Sequence, residues 1–337
     1  MARKRDPVEQ ADDQSRDLYE VSTWEPRSAL DRLSSLIYSL LSYGFQGIVV
    51  GVALIITLVL LIQPGVLVLE DPVLGIFFGL SVVPAALLAG FIWYTDITSN
   101  EPLSLLVATF VLSILFATFA GVVNTYTQPY FQAIPLVGLV LYFFLIVGPV
   151  EEVVKLLAVR MYAYRSDSFD AVIDGAVYGA VAGLGFAAVE NMLYISAEVA
   201  TAEASPFAAA TGITTVRALV GPGHVIFSAI AGFYLGLAKF NPDKAGPIVV
   251  KGLLVAAVVH AMYNVTVGVI PGMITTLVPV SFGLAFIAYV ILYDLTVGYY
   301  LYRKISRYRR TYREVRDDTG DPPTAELTEF DPPNRQP

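Results

Sequence analysis

Gly148-Pro-Val-Glu-Glu-Val-Val-Lys155 lies inside an apolar segment running from about Ile134 to Ala163, and this stretch decides how the chain is read. Each charge at bilayer depth costs about 2.5–3.5 kcal/mol on insertion scales, so two carboxylates and an ammonium together must be paired, solvated or used. A helix from Glu151 onward puts Lys155 one turn further on, an i,i+4 arrangement that partly neutralises the pair. Pro149 reads as a kink or a fresh helix start, tolerable at that depth only where the freed backbone meets protein or water. The stretch therefore predicts a wet, buried site within a membrane.

Working outward, 56 % hydrophobic and only 15 % charged residues over 337 positions place the chain among polytopic membrane proteins. The absence of cysteine removes disulfides, thiolate nucleophiles and Cys-based zinc sites. A net charge of −8 reflects the ends and a few loops and carries no sign of a nucleic-acid partner. Apolar windows long enough to cross ~30 Å of hydrocarbon recur at about 45–63, 73–95, 102–124, 134–163, 170–195, 219–239, 247–269 and 274–302. Turn signals separate them at Gln63-Pro-Gly, Glu70-Asp-Pro, Thr98-Ser-Asn-Glu-Pro, Asn241-Pro-Asp and Pro271-Gly. The expected fold is an all-α bundle of about eight transmembrane helices in a plasma membrane.

Basic residues set the expected orientation. Arg160 and Arg165 follow span four, Lys239 and Lys244 follow span six with Lys251 at the start of span seven, and Arg303, Lys304, Arg307, Arg309 and Arg310 follow span eight. Both termini are thus expected in the cytoplasm, with the region near 96–101 as a cytoplasmic loop that lacks a basic residue. Residues 1–43 form a polar N-terminal segment without the apolar run of a cleavable signal. In it Leu30, Leu33, Ile37, Leu40 and Leu41 recur at helical spacing, as in either an amphipathic lead-in or an extension of the first span. The transmembrane domain covers 44–303, and 304–337 is a basic juxtamembrane stretch running into an acidic, Pro-rich disordered tail.

Span five carries Gly175, Gly179 and Gly183 at i,i+4, a face without side chains that lets another helix come close, followed by Glu190 and Asn191. Span six carries His224, with Ser228, Gly232 and Gly236 continuing its face, and span seven carries His260 with Asn264 one turn on. These are the only two histidines in the sequence. Both lie in spans holding the other buried polar groups, which points to a shared site. At 1.5 Å rise per residue these groups meet only if helices tilt around a water-filled cavity in the middle and outer half of the membrane. Carboxylates that can act as base, imidazoles that can donate a proton or ligate a metal, and amides that orient both make hydrolysis by an activated water the economical chemistry.

Glu151-Glu-Val-Val-Lys155, the run from Asp174 to Asn191, Gly223-His224 and His260-Ala-Met-Tyr-Asn264 resemble the four motifs of the PrsW family of intramembrane proteases. The more distant CAAX prenyl proteases and bacteriocin-processing enzymes share only the His-x-x-x-Asn motif cleanly. The resemblance implies a protease core over 134–269. It implies a catalytic centre of Glu151, Glu152, Glu190, His224 and His260, with Lys155, Asn191, Asn264 and Asp174 in support. It implies a membrane-spanning protein substrate in the lipid bilayer, such as the anti-sigma factors that bacterial members cleave. Without an H-E-x-x-H helix, the reading favoured is Glu-activated water with no required cofactor; if Zn²⁺ is present, His224, His260 and Glu190 are its expected ligands. The alternative is a proton- or ion-coupled transporter using the same Glu, His and Lys set.

Overall fold

The structure, a computed structural model, describes residues 26–98, 101–203 and 205–319. The basic start of the chain and the acidic tail from residue 320 lie outside the described residues. Every regular element among the described residues is helical. They are α1 (Ala29–Glu70), α2 (Val73–Tyr94), α3 (Leu103–Gln132), α4 (Gly138–Tyr142), α5 (Gly148–Met161), α6 (Val172–Thr201), α7 (Pro206–Lys239), α8 (Ala245–Leu277) and α9 (Phe282–Thr319). The chain divides into two compact units, Met1–Ile55 and Ile56–Pro337.

In the first unit the start of α1 is set by a reciprocal cap. The Ser28 amide donates to Asp31 Oδ2 at 2.7 Å, and the Asp31 amide donates to Ser28 Oγ at 3.1 Å. Two of the amides that a helix start leaves without partners are thereby satisfied. From there α1 is unbroken, so the polar-to-apolar transition near residue 43 does not interrupt the helix. The side chains of Ile37, Leu40 and Leu41 lie outside the described residues.

All of the candidate site belongs to the second unit. Among the described residues of the whole chain, seven helices are long and apolar enough to cross a bilayer, consistent with a multi-pass membrane protein. The remaining expected span, 134–163, is helical from Gly138 to Met161 in three consecutive pieces: α4, a wide π-helical turn at Phe143–Val147, and α5. Pro149 explains the middle piece. It has no N–H to give, and its ring would press on the carbonyl four residues back in a regular α-helix. The wider turn takes up this conflict, and the Gly148 amide reaches back to the Phe143 carbonyl.

Two expected breaks, at Pro64 and Pro271, are absent. Both prolines lie inside helices, as do Pro129 and Pro222, so α1 continues to Glu70, α3 to Gln132 and α8 to Leu277. α7 begins at Pro206, 13 residues before the expected start of span six. Apolar surroundings punish a broken backbone more than a single missing hydrogen bond, so proline in these spans does not act as a terminator.

α6 and α7 form the axis of this unit. Within their apolar windows 78 % of residues are buried, against a third or less in the other candidate spans. Glycine explains why they pack so closely: a methyl group at Gly179 or Gly183 would collide with the carbonyl oxygen of Ser228 or His224. Close packing at these two positions carries the backbone of His224 against α6 and sets the depth of the imidazole.

Candidate active site

Glu151 and Glu152 open α5, and Lys155 lies on the next turn; all three are buried. Lys155 Nζ is 2.7 Å from Glu152 Oε1 and 3.8 Å from Glu151 Oε2, so its close partner is the i,i+3 carboxylate rather than the i,i+4 one. Glu152 is fully committed. Besides Lys155 it meets His260 Nδ1 at 2.9 Å and accepts from Ser228 Oγ at 3.2 Å. A carboxylate with three partners and no exposed surface fixes its neighbours and has no room for substrate.

Glu151 differs. Asn124 Nδ2 donates to its Oε1 at 3.0 Å, while its Oε2 is buried without a hydrogen bond, 3.6 Å from His260 Nε2. With the Nδ1 proton of His260 directed at Glu152, the Nε2 lone pair and the Glu151 oxygen face each other across a gap with no donor between them.

His224 connects this group to the second carboxylate centre. The Lys155 ammonium, 3.1 Å from His224 Nδ1, can only donate, so the ring carries its proton on Nε2 and gives it to Glu190 Oε2 at 2.9 Å. Arg217 Nη2 lies 2.6 Å from the same Glu190 oxygen, and its Nε donates to Asn191 Oδ1 at 2.8 Å. The Tyr194 ring covers the guanidinium at 4.4 Å. The two imidazoles meet edge to face with centroids 5.2 Å apart. Phe186 packs on His224 and lies 4.2 Å from the Lys155 ammonium.

The five residues expected to be catalytic therefore form one continuous network, with Lys155 at its centre. Four of them, Glu151, Glu190, His224 and His260, border a cavity of about 480 Å³ that is also lined by Asn124, Tyr142, Tyr194, Arg217 and Asn264. Glu152 is not part of that lining. Asn191 holds Arg217 in place and Asn264 faces the cavity, but Asp174 is elsewhere. It sits in the first turn of α6, 16 residues before Glu190 and about 24 Å away along the helix. There its Oδ2 accepts the amides of Asp170 and Ala171 and caps the helix.

Sequence reasoning missed Arg217, Asn124 and the polar role of Phe186. Arg217 precedes His224 by seven residues, two turns on one helical face, a signal visible only once α7 is allowed to start before residue 219. Glu151, His224 and His260 each present a ligand atom, all within 4.8 Å of one another. This is the His₂Glu set of catalytic zinc sites, with Glu151 in the place expected for Glu190.

A profile described as "PrsW family intramembrane metalloprotease" matches residues 101–295. The chain is 32 % identical over 196 residues to "Protease PrsW" of Geobacillus kaustophilus, covering 54 % of this chain and 76 % of that protein. It is 31 % identical over 192 residues to "Protease PrsW" of Bacillus subtilis, covering 54 % and 78 %. No solved structure matches. Nothing in these comparisons supports the transporter reading. A profile match over more than half the chain, together with relatives covered over three quarters of their length, shows that this chain belongs to the PrsW family and is an intramembrane protease.

Proposed function

We propose that the enzyme hydrolyses a peptide bond of a membrane-spanning protein substrate with a water held between Glu151 Oε2 and His260 Nε2. The observation that carries this reading is the buried, unpartnered Glu151 oxygen facing an imidazole lone pair at the edge of the cavity. Two acceptors with no donor between them call for a water, a proton or a metal ion, and a reacting water satisfies both at once. Glu152 holds the Nδ1 proton of His260 and thereby keeps Nε2 as the acceptor. Asn124 restrains the Glu151 carboxylate. Arg217, which lines the cavity, supplies fixed positive charge for the oxyanion that forms there, and Lys155 adds charge from behind His224.

The unpartnered Glu151 oxygen also fits a metal ion better than a metal-free site, and on that ground we include one in the proposal. Glu151, His224 and His260 would hold a Zn²⁺-class ion, His224 by turning its Nδ1 lone pair from the Lys155 ammonium to the ion, with Glu152 and Asn124 orienting two of the ligands from behind. When bound, such an ion would supply Lewis-acid polarisation and a more acidic water.

The substrate is tested by comparing membrane-protein N-termini by mass spectrometry in cells expressing wild type or Glu151→Gln at matched levels. New termini within or beside a transmembrane segment, seen with wild type alone, identify it; identical profiles overturn the proposal. A regulator of the anti-sigma-factor kind is the narrower expectation for that substrate. Metal dependence is tested on purified full-length enzyme with a zinc chelator. Cleavage should be lost and should return on adding Zn²⁺; full activity in chelator assigns water activation to the carboxylate alone.

A further inference from the structure

At the other end of α6, Asp96, Glu101 and Asp174 bring three carboxylates together, one ligand oxygen from each lying within 4.8 Å of the others. Asp96 and Glu101 belong to the connection between α2 and α3, and Asp174 to the first turn of α6. The Thr98 hydroxyl stands 2.7 Å from Asp96 Oδ1 and 3.4 Å from Asp174 Oδ1. Among the described residues no lysine or arginine pairs with any of the three within 4 Å.

What marks this cluster as a ligand site is its unused oxygen. Glu101 is 4 % exposed, and neither of its carboxylate oxygens has a hydrogen-bond partner. Asp96 Oδ2 and the hydroxyl of fully buried Tyr178 are likewise buried without partners. Burial and the adjacent Asp96 push the Glu101 carboxyl up to about 9, as expected for negative charge that no cationic side chain among the described residues pairs with. A hard cation takes carboxylate and hydroxyl oxygens at about 2.0–2.6 Å, so ligand oxygens within a few ångströms of one another suit it. A set with oxygens alone and no imidazole or thiolate selects against Zn²⁺ and in favour of Mg²⁺ or Ca²⁺.

We propose that Asp96, Glu101 and Asp174 form a second cation site, specific for a hard divalent ion, which ties the α2–α3 connection to the start of α6. The site is separated from Glu190 by about 24 Å of helix and shares no residue with the proteolytic centre. The loops that carry Arg165 and Lys244 adjoin the same ends of α5, α6 and α7, so the orientation read from the basic residues puts it on the cytoplasmic side.

The test uses full-length protein in detergent at pH 8, first stripped with EDTA, with ionic strength held constant by NaCl. About 5 mM MgCl₂ or CaCl₂ should raise the melting temperature of wild type by roughly 5 °C. Glu151→Gln, which disrupts the proteolytic centre, should show the same rise. Asp96→Asn/Glu101→Gln should show none, while melting in EDTA no lower than wild type because carboxylate repulsion is relieved. Tb³⁺ emission excited through tyrosine should appear with wild type, be displaced by Ca²⁺ and be lost in the double variant. No rise in wild type, a rise that survives in the double variant, or one that disappears in Glu151→Gln overturns the site. A wild-type melting temperature that responds to pH but not to the cations also overturns it and leaves a proton shared between Asp96 and Glu101.

Discussion

α6 connects two buried carboxylate clusters that solve the same electrostatic problem differently. In its C-terminal half Glu190 joins Glu151 and Glu152, and the protein supplies Lys155, Arg217 and two imidazoles to hold them. Near its start Asp96, Glu101 and Asp174 receive a threonine hydroxyl and three backbone amides, with no cationic side chain paired to them among the described residues. Removing one partner of a buried ion pair leaves a charge that costs about 3–5 kcal/mol, so a network with built-in cations stays charged and ready for chemistry. A cluster without them must take up protons or a metal ion. The difference teaches that buried acid alone does not identify an active site; the side chains that keep it ionised do.

The sharpest way to break this comparison is to remove the groups that face the cavity. Glu151→Gln or His260→Ala should lower cleavage of a membrane-spanning substrate by about 10³-fold or more, as expected when a general base or its partner is lost. Both variants should still accumulate as folded membrane protein. Near wild-type turnover in either, in a discontinuous assay on reconstituted enzyme, would detach the proteolytic role from this end of α6.

A smaller effect sharpens the role of the built-in cations. Arg217→Gln leaves Glu190 with a neutral His224 as its remaining hydrogen-bond donor, and activity should fall by about 10–100-fold, the range seen for groups that orient first-line residues. Melting temperature should fall as well. Adding Glu190→Gln should recover part of that lost stability, because the stranded carboxylate is gone. Additive losses in this double-variant cycle would show that the 2.6 Å contact carries no coupling.

Much of this was legible in the sequence because charge within a membrane span is rare enough to stand out. Glu151, Glu152, Glu190, His224 and His260 were visible as polar residues in apolar windows, and the glycine spacing on α6 showed which face would meet α7. Arg217 was hidden by its position. It lies two residues before 219, the expected start of span six, and so was assigned to a connection. Asn124 was hidden because an amide at the end of a span has no pattern of its own; only packing shows that it reaches Glu151. Asp174 misled in the opposite direction. Its place in a motif that also contains Glu190 suggested a shared centre, yet 16 helical residues separate the two by most of a bilayer.

The smallest expected effect tests the cation-poor end. With the Glu101 carboxyl raised to about 9 in the folded protein and near its ordinary value of 4.5 in the unfolded chain, the folded state holds one more proton throughout the interval between them. Stability must then fall as pH rises from about 5 to 9, since the slope follows the protons bound by the unfolded state minus those bound by the folded one. Measured in EDTA, the melting temperature of wild type should decline across that window, and Glu101→Gln should flatten the decline while leaving proteolysis close to wild type. Millimolar Mg²⁺ or Ca²⁺ should flatten it in wild type too, because a bound dication replaces the proton as the offsetting charge. An equal decline in wild type and Glu101→Gln would mean that the pH sensitivity resides elsewhere. The contrast between the two ends of α6 would then rest on geometry alone.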